Sequence, residues 1–279
     1  MTSPSAITVP PASPLRAPTS PGAGFWTSAL AVARRTIRKF VRTPQLIVLT
    51  TIQSALWLLI FRYIFGGAIT VDGLPYVAFL VPGVVVTNAL FSGMGAAAGV
   101  AEDIEQGFFD RLRSLPIPRA AVMAGRGLAD TALLTWGLAV ATALGFAVGF
   151  RTHGSVAAGL AAFGLCVLYG FAFDWIFITI GLVGGTAQAA QGLSMLVLPL
   201  IFVSSAYVPV STMPGWMQAF ATHQPVTPMV DAVRALAGGP QARALLEHGT
   251  AYYVQVSLIW SAAIIVVFGL LATVRFSRR

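Results

Sequence analysis

The sequence predicts an all-α polytopic membrane protein, and three observations carry that prediction. Hydrophobic residues fill 57% of the 279 positions and charged residues only 9%, with a mean hydropathy of +0.81. A soluble domain carries about 25% charged residues, so this chain has too few to cover itself with a polar surface. Its apolar residues gather in six runs, each near the roughly 20 residues that cross about 30 Å of hydrocarbon. Charges of both signs crowd together only in Ala101–Arg126, where Glu102, Asp103, Glu105 and Asp110 stand among Arg111, Arg113, Arg119 and Arg126, between two such runs. That stretch reads as a charged helix closed by Pro116 and Pro118, a docking surface through which a partner protein pushes on the membrane bundle.

Residues 1–24 hold six prolines among Ser, Thr, Ala and Gly, with Arg16 as the single charge, and read as a disordered tail. They lack the basic start and apolar centre of a secretory signal, so the tail is expected to stay in the cytoplasm. Residues 25–43 are amphipathic at helical period. Arg34, Arg35, Arg38, Lys39 and Arg42 fall within one arc of about 140°, opposite Trp26, Ala29, Leu30, Ala33, Ile37, Phe40 and Val41. Such a helix lies in the headgroup plane with its apolar face sunk into the acyl boundary; the alternative is a cytoplasmic helix packed on protein. Thr43-Pro44 ends it.

Residues 44–279 form the membrane domain, with spans expected near Leu46–Gly66, Tyr76–Val100, Leu128–Phe150, Val156–Leu182, Gln188–Val208 and Tyr252–Val274. Six spans put both termini on one side. With cytoplasmic termini, thirteen of the 17 basic residues lie inside, and Arg62, Arg151, Arg234 and Arg243 lie outside; that asymmetry sets the orientation. The segment 209–250 then lies at the outer face. It reads as two short helices, Gly215–Ala221 ending near His223, and a second begun by Pro225 and Pro228 and closed by Gly238-Gly239. A re-entrant pair of this kind satisfies its own backbone, with Trp216 anchoring at the interface.

Several chemistries are excluded. Cys166 is the only cysteine, so neither an intramolecular disulfide nor a multi-cysteine metal site is available. There is no HExxH or GxSxG, and His153, His223 and His248 lack metal-ligand spacing, so an enzyme is not expected. The arginines cluster at the ends of apolar runs instead of along an aromatic-interleaved face, which argues against nucleic acid. The one lysine, Lys39, is followed by Phe40, so the chain has no phosphate-binding Gly-Lys-Ser/Thr loop. The acids at 102, 103 and 105 read as the favourable N-terminal charges of a helix whose basic end carries Arg111 and Arg113. Ile104, Phe108, Leu112 and Leu115 share one face of it, a ridge suited either to a partner's groove or to packing beneath its own spans.

The stretch VAEDIEQGFFDRLRSLPIPRAAVMAGRGLAD resembles the signature after the second span in permeases of type-2 ABC exporters, especially their daunorubicin/doxorubicin-resistance branch. The outer stretch FVSSAYVPVSTMPGWMQAFATHQPVTPMVDAVRALAGG is similar to the same branch at its matching position, and the likeness spans residues 25–279. The resemblance implies two paired permease copies, identical or mixed, each bound to a cytoplasmic P-loop ATPase subunit that holds the ATP and Mg, with no cofactor on this chain. Glu102–Pro116 would be the coupling helix, with Gly107, Asp110, Arg111, Arg113, Ser114, Leu115 and Pro116 matching its motif; Asp103, Phe108 and Leu112 lie within it. Residues 25–43 would be the interfacial connecting helix, and Pro214, Trp216, His223, Pro225, Pro228, Asp231 and Arg234 would belong to the outer pair capping the substrate path. Phe108-Phe109 departs from the smaller residues usual there.

The function so implied is export of hydrophobic drugs or related amphiphiles across the cytoplasmic membrane by alternating access. The path would be aromatic, drawing on Trp57, Phe91, Phe173 and Phe177, each of which core or lipid packing would equally explain. Asp174, inside the fourth run, either faces the bundle and attracts a cationic amphiphile or sits near the inner interface. Asp130, four residues after Arg126, reads as its local ion pair. Export of lipid or glycoconjugate, or a secondary transporter or channel without an ATPase, are the competing functions.

Overall fold

The computed structural model describes residues 24–65, 74–109 and 119–278, so all but the last residue of the proline-rich tail lies outside it. Among the described residues, all regular structure is helical. The elements are α1 Phe25–Val41, α2 Pro44–Leu59 running on into a π-helical turn Ile60–Phe65, α3 Tyr76–Glu105, α4 Arg119–Ala147, α5 Val156–Gly184, α6 Ala187–Ser194, α7 Leu198–Phe202, α8 Gly215–His223, α9 Val226–Ala237, α10 Gly239–Arg243 and α11 Thr250–Arg278.

Four of these, α3, α4, α5 and α11, are long and apolar enough to cross a membrane; Ala55–Ile64 and Ala187–Phe202 are shorter apolar helices. α5 keeps the start expected of the fourth run because Ser155 accepts a hydrogen bond from Ala158 N at 3.2 Å, and Gly185 in a left-handed conformation closes it. The run expected as one span over Gln188–Val208 instead ends its helix at Phe202. Irregular backbone follows, and side chains satisfy it: Ser205 N binds Thr227 Oγ1 at 3.3 Å, Ala206 N binds Ser204 Oγ at 3.2 Å, and Tyr76 OH donates to Tyr207 O at 3.3 Å. Where water is scarce, non-helical backbone persists only with such partners.

The core is built on the long pairing of α3 with α5, filled by Leu80, Leu90, Tyr169, Phe173 and Phe177, all fully buried. α11 closes against α5, where Tyr169 OH and Ser257 Oγ lie 2.6 Å apart. α1 packs along α4. It does so through Ser28, Ala29, Val32, Ala33 and Thr36, leaving Trp26 68%, Leu30 59% and Val41 62% exposed. The helix therefore has three faces where the sequence implied two: small residues against protein, an apolar strip left open, and the cations between.

Candidate functional site

The site lies where α3 ends. α3 has 30 residues, roughly 45 Å at 1.5 Å per residue, so it outruns a hydrocarbon layer of about 30 Å by several turns. Glu102, Asp103 and Glu105 occupy its last turns. This corrects the sequence reading, which took these acids as the start of a separate helix. At a helix C-terminus negative charge is disfavoured by the macrodipole, so cations from elsewhere must compensate, and they do.

Asp103, 3% exposed, receives Arg35 Nη1 on one oxygen at 3.2 Å and Arg126 Nη1 on the other at 3.1 Å. Arg126 also binds Asp130 through Nε at 2.8 Å and Ala96 O through Nη2 at 3.4 Å. The expected Arg126–Asp130 pair is thus present as half of a larger network. Gly99 makes room for it, because a Cβ there would run into the Arg126 guanidinium. Asp174 is 1% exposed, within electrostatic range of both Arg126 and Asp130, and its Oδ2 has no hydrogen-bond partner. Lys39 reaches Glu102 at 3.0 Å in a half-exposed pair, a contact of small energetic weight. Arg34, Arg38 and Arg42 are exposed.

Beyond Glu105 the chain turns sharply. Gly107 adopts φ +63, and its N–H bonds Ile104 O at 3.0 Å. Gly107→Ala is expected to cost about 1–2 kcal/mol of stability, the penalty of a left-handed alanine, read as a lowered melting temperature in detergent; an unchanged melting temperature would contradict it. The turn interrupts the helix expected to carry the ridge, although Ile104 and Phe108 still pack against one hydrophobic cluster. Phe108 then lies under Arg35, whose guanidinium carbon is 3.6 Å from the ring centroid. Phe109 turns inward to meet Phe276 edge-on at 5.2 Å, in a cluster with Val100, Val122, Met123, Ile178, Leu182 and Ala272. Asp110, Arg111, Leu112, Arg113, Ser114, Leu115 and Pro116 lie outside the described residues.

The second candidate region is also formed by packing. Pro214 precedes α8, which carries exposed Trp216 and ends at exposed His223, whose Nδ1 lies 2.8 Å from Ala219 O. Gln224 Oε1 accepts from Val226 N at 2.7 Å and so caps α9 alongside Pro225. Pro228, in the first turn of α9, removes only a donor that would lack a helical partner. Asp231 and Arg234, read from sequence as outer-face residues, are 6% and 1% exposed. They pair with each other, while Arg234 also donates to Phe79 O at 3.2 Å and Ser205 O at 2.7 Å and stacks over the Phe79 ring. Burial pushes the Asp231 carboxyl above the ordinary carboxylate range, against the opposing pull of Arg234 and Ser205. Of the expected path residues, Phe173 and Phe177 are core side chains between α3 and α5, whereas Trp57 and Phe91 are partly exposed. Trp57 stacks with Phe61, which stacks on Tyr207 at 4.3 Å.

Residues 27–237 match the family described as ABC-2 type transporter. The chain belongs to the ABC-2 type transporter family. This ABC-2 permease is 33% identical over 237 residues to the daunorubicin resistance ABC transporter permease DrrB1 of Streptomyces coeruleorubidus, covering 84% of this chain and 80% of that protein. It is 25% identical over 260 residues to a protein named as a probable doxorubicin resistance permease, DrrC, of Mycobacterium tuberculosis, covering 91% and 90%. Nodulation protein J of Sinorhizobium fredii is 30% identical over 174 residues, 59% of this chain and 63% of that one. The matched stretch of the ABC-2 permease runs from α1 to the end of α9, leaving α11 beyond it, although Phe276 of α11 completes the Phe109 cluster. Arg35 and Phe276 are the residues that local sequence reading did not join to the charged segment. The signal for Arg35 is the cluster of acids at 102, 103 and 105, which at a helix end calls for cations from other helices.

Proposed function

We propose that this chain is the membrane-spanning subunit of an ATP-driven exporter, and that a separate P-loop ATPase docks on the 102–116 segment. The observation that carries this reading is how the root of that segment is anchored: Arg35 grips both Asp103 and Phe108, and Phe109 is wedged against Phe276. Displacement of the segment would be felt at once by α1, α3, α4 and α11. The ATPase brings ATP and Mg and supplies the closing motion. A second permease copy, of the same or a sister chain, completes the path, along which Trp57 and Phe91 offer aromatic surface at the face of the bundle. Hydrophobic drugs or related amphiphiles are the cargo, a reading supported by the names of the two drug-resistance relatives. Ala55–Ile64 and Ala187–Phe202 count as parts of the first and fifth spans, giving six, with both termini on the cytoplasmic side of the inner membrane. α1 then lies at the membrane surface, its open strip of Trp26, Leu30 and Val41 among acyl chains and Arg34, Arg38 and Arg42 at the lipid headgroups.

Changing Arg111 and Leu112 together to alanine tests this. Insertion and dimer assembly are expected to persist while nucleotide-dependent export falls at least about tenfold and the ATPase no longer responds to cargo, because the point of attachment is lost without touching the spans. Undiminished export by that variant, or export in proteoliposomes free of nucleotide, would overturn the reading.

A further inference from the structure

A cavity of about 350 Å³ lies at the end of the bundle away from Gly107, between the last turns of α4 and the first turns of α5, with α3 and α9 behind it. Val81, Phe146, Phe163 and Val233 give it apolar walls. Val156 and Leu160, 82% and 69% exposed, stand at its mouth on the side of α5, a flank that in a spanning helix meets lipid. The volume falls in the range of small-molecule sites.

One polar group in the wall lacks a partner. Thr131 and Thr135, on the same helix, each donate to the carbonyl four residues earlier at 2.7 Å. Thr142 makes no such bond: its Oγ1 is buried and has no hydrogen-bond partner, although the residue lines the cavity. A buried hydroxyl left unmatched is a standing cost, and it is greatest where water does not reach. In this rotamer the oxygen is closed off, and a single χ1 step of about 120° carries it to the position the methyl group now holds. A bare hydrocarbon chain would fill the space and leave the hydroxyl orphaned. A molecule with one hydroxyl or carbonyl would satisfy it.

We propose that this cavity is a lateral binding site for a compact, membrane-dissolved apolar molecule that carries a single hydrogen-bonding group directed at Thr142. The proposal concerns binding alone and stands or falls separately from the export reading. Binding is measured on the full chain in nanodiscs by energy transfer from its tryptophans to 9-anthracenemethanol and to anthracene, which differ by one hydroxymethyl group. Wild type is expected to give saturable transfer with both, and about tenfold tighter binding of the alcohol. Thr142→Val should keep anthracene binding, which certifies the fold, and reduce the alcohol to the same affinity. Gly159→Phe should abolish saturable transfer from both, since Gly159 lines the cavity and a Cβ there meets nothing within 4 Å, leaving room for a ring that fills the space. Equal affinities in wild type would make the cavity a plain acyl-chain slot and overturn the proposal. So would the absence of saturable transfer, or its survival unchanged in Gly159→Phe.

Discussion

Arg126→Ala is expected to lower the melting temperature of the solubilised protein sharply and to abolish export. The guanidinium is shared by Asp103, Asp130 and Ala96 O, with Asp174 close enough to feel it. Removing it leaves buried carboxylates facing one another with only Arg35, a partly exposed neighbour, for Asp103. Breaking a buried pair in this way costs about 3–5 kcal/mol, because the partner's charge is left stranded. Arg126→Lys should recover only part, since an ammonium on a flexible stem cannot span two carboxylates and a carbonyl as a planar fork does. Asp103→Asn should be milder than either, because Arg126 keeps Asp130. Thermal melts of the three variants against wild type decide the order, and an Arg126→Ala protein that melts with wild type would remove the junction from any account of stability.

Arg234→Leu is expected to be of similar severity at the opposite end of α3. Its guanidinium pairs with Asp231 and donates to two backbone carbonyls, Phe79 O and Ser205 O, while fully buried. The single change strands Asp231 and frees both carbonyls, again about 3–5 kcal/mol. Adding Asp231→Leu removes the stranded charge but not the carbonyl loss, so the double variant should melt above Arg234→Leu and below wild type. A double variant no better than the single would mean that the carbonyl contacts, not the charge pair, carry the effect.

Much of this architecture is legible in the sequence because it is set by local chemistry. Pro225 and Gly238-Gly239 mark helix ends that the structure repeats to within a residue or two, and the cationic arc of α1 follows from period alone. What was not legible depends on partners far along the chain. The acids at 102, 103 and 105 look like a helix start because that is where a dipole favours them; the cations that permit them at a helix end come from other helices, Arg35 and Lys39 more than sixty positions earlier and Arg126 near the start of α4. Likewise Asp231 and Arg234 show a helical i,i+3 spacing from which a surface pair and a buried staple look the same. Only the irregular backbone at Ser205, which needs donors and acceptors, distinguishes them. Phe173 and Phe177 resemble a path lining by composition, yet the close approach of α3 turns them into filler.

α3 joins the two polar anchor points, Asp103 near one end and Phe79 with Tyr76 near the other. A stiff rod of roughly 45 Å converts a tilt of about 5° into a swing of about 4 Å at its tip. Pro82 interrupts the rod two turns from that tip, so most of its length moves as a beam and the short cap beyond can hinge. Force delivered at the acidic end would therefore surface as a sideways step of the Val203–Val208 stretch, about 30–40 Å from where it was applied.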